Sequence, residues 1–97
     1  MIPPKGWTTD KKMNDYNQWW GNMAKSRGLK SPQPIMCSSR DSDHTMYMFQ
    51  SGRRYYVWNP VADTVVEIVT SMGLVDVVTK IGKLGLRSVK TKRVDEV

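Results

Sequence analysis

The chain has 97 residues, of which 39% are hydrophobic, with a formal net charge of +6 and a pI near 9.7. This length fits one small domain, and the basic charge favours phosphate groups, acidic protein surfaces or anionic lipid as partners. The single cysteine, Cys37, excludes an internal disulfide, and no apolar run is long enough to span a membrane. Because no signal peptide is apparent, we expect an intracellular protein, cytoplasmic or nuclear, with an organelle matrix as a further location.

Residues 1–9 are predicted to form an extended N-terminal arm. Pro3 and Pro4 disfavour a helix here, and Gly6 precedes one aromatic residue, Trp7. Trp7 therefore either anchors the arm to the body of the domain or offers itself to a partner.

A helix is predicted over residues 10–28, with Asp10 as its N-cap and Gly28 as its stop. Its apolar residues recur at steps of three and four, which predicts a stripe that covers a sheet: Met13, Tyr16, Trp20 and Met23. Trp19 lies about 100° around the helix from Trp20. It therefore either widens the buried stripe or stays exposed as a contact residue.

Residues 29–45 are predicted to be a loop, because two prolines and several serines interrupt any regular pattern. Ile35 and Met36 could lay a short strand or an anchor within it. The only histidine, His44, follows Cys37 and two aspartates, but their spacing matches no zinc motif. We therefore predict no metal site.

Residues 46–69 have the pattern of a three-stranded antiparallel meander. Aromatic and β-branched residues fill the runs, and Gly52 and the Asn59–Pro60 pair mark the turns. Alternation places Tyr56 and Trp58 on one face, opposite Tyr55 and Val57. Because both faces are apolar or aromatic, we expect the N-terminal helix to cover one face and the C-terminal segment or a partner to cover the other.

Two structures fit residues 61–72. Their apolar residues have helical spacing behind Asn59 as an N-cap, whereas their Val and Thr content favours a third strand. Residues 74–97 are predicted to form a basic C-terminal helix or tail. One face of this helix is apolar, with the residues Leu74, Val77, Val78, Ile81 and Leu84.

The residues that could carry catalysis do not form a recognisable constellation. Cys37 and the serines have only His44 as a candidate base, the acids are scattered, and no glycine-rich phosphate loop is present. We therefore predict that the protein is not an enzyme and uses no cofactor. Arginines and aromatics interleave from Arg53 to Trp58, which suits either base stacking with phosphate contacts or a hairpin whose aromatics belong to the core.

The segment from Gly52 to Glu67 resembles the second and third strands of a WW module, in the variant with Trp-Asn before the second turn that is found in some RNA-processing proteins. The matching residues are Gly52, Arg53, Tyr56, Trp58, Asn59, Asp63 and Thr64. The resemblance implies a small antiparallel sheet. It does not imply binding of proline-rich ligands, because the groove aromatic of that family falls on Val57 and its groove tryptophan on Glu67.

These patterns predict a small α+β domain in which an N-terminal helix packs on a three-stranded antiparallel meander, followed by a C-terminal helix or basic extension. We expect a non-catalytic adaptor or accessory subunit of a larger protein assembly, with the contact residues Trp7, Trp19, Arg53, Arg54, Tyr55 and Trp58. The alternative is a small RNA- or DNA-binding protein whose contacts are Arg53, Arg54, Lys80, Lys83, Arg87, Lys90, Lys92 and Arg93.

Overall fold

A computed structural model describes residues 6–8, 17–38, 46–60 and 62–94, and leaves the side chains of residues 8 and 17–21 outside the description. The strands form one sheet in chain order, with every neighbouring pair antiparallel. In sequence, the elements are β1 (Trp7–Thr8), α1 (Asn17–Ser26), β2 (Gln33–Ser38), β3 (Tyr47–Ser51), β4 (Arg54–Asn59), β5 (Thr64–Ile68), α2 (Leu74–Leu84), a 3-10 helix (Leu86–Ser88) and β6 (Thr91–Arg93).

The predicted three-stranded meander is wrong, because the sheet has five strands of three residues or more and the two-residue β1. Strand β2 lies inside the predicted loop 29–45 and contains Ile35 and Met36, where a short strand or an anchor was expected. Strand β6 lies inside the predicted basic tail. Pro34 argued against a strand in this segment, because proline is normally excluded from the interior of a sheet. Here the register with β3 shifts by one residue between Pro34 and Met36, and such a bulge tolerates proline.

Strand β5 decides between the two structures that the sequence allows for residues 61–72. Trp58 of β4 pairs with Val65, and Asn59 pairs with Thr64. The side-chain oxygen of Asn59 accepts a hydrogen bond from the backbone N–H of Ala62 at 3.3 Å. Asn59 therefore closes the β4–β5 turn instead of capping a helix.

One face of the sheet, here called the aromatic face, carries most of the buried rings. The ring centroids of Tyr47 and Trp58 lie 5.7 Å apart, and those of Phe49 and Tyr56 lie 5.2 Å apart and are stacked. Met23 of α1 is buried in the same cluster, so α1 contacts this face. The predicted helix start at Asp10 and the residues Met13 and Tyr16 lie outside the described residues. The complete buried cluster is Met23, Cys37, Tyr47, Phe49, Tyr56, Trp58 and Val65.

The opposite face, here called the aliphatic face, is covered by α2. Its buried sheet residues are Ile35, Met36, Met48, Val57 and Ile68, and α2 contributes Val77, Val78 and Ile81. Of the two covers expected for this second face, the C-terminal segment or a partner, the structure shows the C-terminal segment, as helix α2. Leu84, expected on the same apolar stripe, is 69% exposed while Ile81 is 2% exposed. The core thus ends about one turn before the helix does.

Helix α1 is joined to the β4–β5 turn by a polar contact between Arg27 and Asp63. A guanidinium nitrogen of Arg27 donates to the backbone oxygen of Asp63 at 2.8 Å and to its carboxylate at 3.2 Å. The same carboxylate oxygen accepts a hydrogen bond from the indole N–H of Trp58 at 3.3 Å. Asp63 holds a positive φ of 50°, a conformation that Asp and Asn adopt more readily than most residues. The turn therefore needs both the backbone conformation and the acceptor of this residue.

Ile81 and Leu84 are similar in size but differ in burial. Truncating their side chains should therefore change the free energy of unfolding by different amounts. Ile81→Ala should lower the free energy of unfolding by about 2–5 kcal/mol, because it leaves a cavity between α2 and the sheet. Leu84→Ala is the matched control on the same helix and should cost less than about 1 kcal/mol. Urea unfolding measures both values, and equal losses would contradict the position of α2 described here.

The Asp63 contact predicts a graded series of stabilities. Asp63→Asn keeps a hydrogen-bond acceptor and tolerates the positive φ, so it should cost least. Asp63→Gly loses the side-chain bonds alone, at about 1–2 kcal/mol, whereas Asp63→Ala adds backbone strain and should cost most. Thermal or urea unfolding gives the order. A glycine variant as stable as the parent would show that the carboxylate contacts contribute nothing.

Candidate functional site

Four exposed cations from two distant segments of the chain line two grooves beside strands β4, β5 and β6. Arg53 lies in the turn between β3 and β4, Arg54 is the first residue of β4, and Lys92 and Arg93 come from β6. Strand β5 brings the two segments together, because it pairs with β4 on one side and with β6 on the other. We call these four residues, Arg53, Arg54, Lys92 and Arg93, the basic rim.

The β3–β4 turn fixes the first pair of the basic rim. Gly52 has a φ of 62°, as required at the first central position of a two-residue hairpin loop. The hydroxyl of Ser51 donates to the backbone oxygen of Lys30 at 2.6 Å, and the side-chain amide of Gln50 donates to the oxygen of Gly52 at 3.1 Å. These bonds hold the turn against the chain before β2, which leaves Arg53 at the exposed tip.

The second pair of the basic rim lies on a short strand that is held at both ends. The backbone N–H of Val69 donates to Lys90 at 2.8 Å, and that of Val94 donates to Val65 at 3.0 Å. The side chain of Val94 also packs against the aromatic-face cluster. Strand β6 therefore forms from its backbone bonds and this one apolar anchor, although the residues Thr91–Arg93 are themselves exposed.

Glu67 lies at the centre of the basic rim. It is opposite Tyr56 on one side and Lys92 on the other, and its carboxylate is 3.3 Å from a guanidinium nitrogen of Arg54. An ion pair this exposed contributes little stability, but it orients Arg54. Two neighbouring grooves of about 310 and 300 Å³ are both lined by Arg54, Glu67 and Lys92. The site is thus a cationic surface in which Arg54 and Lys92 flank one acid, while Arg53 lines one of the two grooves and Arg93 lines the other.

Tyr56 lies at the border between the basic rim and the aromatic face. Burial raises its pKa, the negative charge of Glu67 raises it further, and Arg54 lowers it through its charge and through hydrogen bonding. The phenol is therefore neutral throughout the physiological pH range. It cannot act as a phenolate there, and it contributes a polar group to the rim without adding charge.

The aromatic residues predicted to bind partners differ in their burial. Trp58 is 5% exposed and belongs to the core, which corrects its prediction as an exposed contact residue. Tyr55 and Trp7 are half-buried and pack against the aliphatic-face cluster. Trp19 lies in α1, but its side chain lies outside the description. Tyr55 and Trp58 contact different cores because side chains alternate between the two faces along β4.

The other predicted cations lie elsewhere on the molecule. Lys80 and Lys83 belong to α2, on the side of the sheet covered by that helix, and Arg87 belongs to the 3-10 helix. Lys90 precedes β6. The cationic run near the C-terminus is therefore divided between α2, the 3-10 helix and β6 with the residue before it.

Sequence reasoning missed Glu67 as a member of the site. Its contact with Arg54 and its position opposite Lys92 depend on the registers of β4–β5 and β5–β6. The Asn59–Pro60 turn signal could have suggested the first register, because it fixes where β4 reverses. The second register had no local signal, since β6 itself was not predicted.

Other classes of site are less well supported by the residues described. His44 lies outside them, and within them no group of three or more His, Cys, Asp or Glu side chains is placed to hold a metal ion. None of the helices in the described ranges has the length and apolar character needed to cross a membrane. Comparison of the chain with protein-family models, curated proteins and solved structures finds no match.

The surroundings of Tyr56 predict a measurable titration. Its phenol should ionise above the ordinary pH of about 10, and Glu67→Gln should move that titration to lower pH by removing a negative neighbour. Because the folded state favours the neutral phenol, this contribution to stability is present below pH 10 and is lost as pH rises through the raised pKa. Ultraviolet absorbance of phenolate, compared with a Tyr56→Phe variant, isolates the transition.

An opposite shift is expected from Arg54→Gln, which removes the charge that lowers the pKa of Tyr56. The two variants form a matched pair, because each replaces one partner of the same ion pair with a neutral amide. A Tyr56 titration that responds to neither variant would contradict this description of the rim.

Proposed function

We propose that this protein is a non-catalytic binding protein whose basic rim holds the phosphate backbone of nucleic acid. The observation that carries the proposal is that the basic rim lines two grooves, and that both grooves share Arg54, Lys92 and the acid Glu67. Phosphate contacts from Lys and Arg supply affinity that does not depend on sequence. The predicted cytoplasmic or nuclear location stays a prediction and would suit this role.

The proposed contact is with phosphate groups and not with stacked bases. Stacking on a sheet needs aromatic side chains that face solvent, whereas Tyr56 and Trp58 are buried. We therefore expect little discrimination between nucleotide sequences. The sequence pattern from Arg53 to Trp58 also allowed the sheet aromatics to stack against bases, and the present proposal does not include that contact.

Docking onto a larger protein assembly stays a prediction with fewer supporting residues. Of its expected contacts, Arg53 and Arg54 are exposed, while Trp58 is buried. The most exposed large apolar side chains in the described part of the chain, Val75 and Leu84, are nine positions apart on α2. Scattered apolar residues of this kind are ordinary on a protein surface, so they do not favour docking over nucleic-acid binding.

The salt dependence of binding tests the proposal. Affinity for a short fluorescent RNA or DNA should fall steeply with salt, in proportion to the phosphates that are neutralised. Arg53→Ala with Lys92→Ala removes two rim charges and leaves the Arg54–Glu67 pair intact. We expect this double variant to lower the slope of log K against log salt by about 1.4 for single strands and about 1.8 for a duplex.

The control is Lys80→Ala with Lys83→Ala, which removes the same charge from α2. It should leave the slope nearly unchanged, because these lysines lie away from the rim. Equal effects of the two double variants would show that net charge alone is responsible, and no binding at low salt would remove the proposal.

A further inference from the structure

A second groove, distinct from the basic rim, opens on the aliphatic face beside the 3-10 helix. It has a volume of about 550 Å³, against about 300–390 Å³ for the other grooves described here. Val57 and Val66, which are directly opposite in the β4–β5 register, both line it. A volume above about 300 Å³ is within the range of sites that bind small ligands.

The groove is apolar because α2 covers only part of the aliphatic face. Met46, Leu86 and Val89 complete its apolar lining, and each of them is only half-buried. Val66 is also half-buried, although Val57 beside it is buried. A continuous strip of apolar surface thus remains in contact with solvent at a concave site, where an apolar ligand would displace water.

Arg87 adds one positive charge to this apolar lining. It is exposed, and neither of the ion pairs found among the described residues involves it. The remaining lining residues are the neutral polar Asn59, Thr64 and Thr91. An arginine beside apolar surface favours a ligand with an apolar body and a single carboxylate, because a guanidinium binds a carboxylate with two parallel hydrogen bonds.

We propose that this groove binds a medium-chain fatty acid, with the alkyl chain along Val57, Val66 and Leu86 and the carboxylate at Arg87. The proposal is independent of nucleic-acid binding, because none of the groove residues belongs to the basic rim. The alkyl chain and the carboxylate contribute to binding in different ways. Burial of the alkyl chain supplies affinity, and Arg87 selects the ionised acid over neutral molecules of similar length.

NMR titration of the full chain with octanoate, and separately with octan-1-ol, tests the proposal below the micellar concentration of the acid. Octanoate should shift the backbone amides of Leu86, Val89 and Val66 saturably. Octan-1-ol has the same alkyl length without a charge, and should bind at the same place on the order of tenfold more weakly, the factor that corresponds to about 1.4 kcal/mol.

Variants at Arg87 separate the charge from the groove. Arg87→Gln should remove the preference for octanoate over octan-1-ol, and Arg87→Lys should keep most of it. Arg53→Gln removes an exposed arginine from the basic rim and should leave the preference unchanged. Unaltered amide shifts of β3 and β4 in each variant would show that the fold is intact.

Three results would overturn the proposal. The first is equal affinity for octanoate and octan-1-ol in the parent protein. The second is equal loss of preference in Arg87→Gln and Arg53→Gln, which would indicate a general effect of net charge. The third is a set of octanoate shifts confined to the basic rim, away from Leu86 and Val89.

Discussion

Strict alternation of side chains along β3 and β4 is the constraint on which this structure depends. Tyr47 and Phe49 enter the aromatic face, while Met48 between them enters the aliphatic face. A strand that is apolar on both sides must be covered on both sides, because exposing either row would leave a large apolar surface in water. Helix α1 contributes to one cover and α2 supplies the other, so the two helices follow from the pattern of the central strands.

Covering both faces determines which groups remain for a partner. The aromatic rings are used as core, and the exposed ends and edges of the sheet carry charge. Among the described residues the acids are Asp63, Glu67 and Asp76, and the first two already pair with arginines. The outer strand β6 is short and cationic, which discourages pairing with a second sheet. The same residues that protect this edge therefore create the surface that we propose for phosphate.

The sequence was informative where local chemistry and burial agree. Gly52 and Asn59 mark turns through conformations and side-chain bonds that need no distant partner. The apolar spacing of Val77, Val78 and Ile81 indicates α2 in the same way, because a periodic stripe needs only some surface to cover. These elements could be predicted without knowledge of the tertiary structure.

The sequence was misleading where tertiary contacts override local preference. Strand β2 contains Pro34 and depends on a register shift against β3. Strand β6 consists of polar and cationic residues and is held by backbone bonds to β5 and by Val94. The basic rim depends on the registers of β5 with β4 and with β6. Its four residues could therefore be named from sequence among eight candidate cations, but their grouping could not. Both strands depend on partners that only the folded sheet provides.

The central claim is that the aromatic rings belong to the core and that the basic rim contacts the partner. NMR mapping with a short single-stranded oligonucleotide tests this claim directly. Trp58 reports on the core, since it is 5% exposed and its indole N–H is bonded to Asp63 of the β4–β5 turn. The account predicts saturable shifts at the amides of Arg53, Arg54, Lys92 and Arg93, with the Trp58 indole signal unchanged. Large shifts of that indole signal, with the rim amides unmoved, would contradict it.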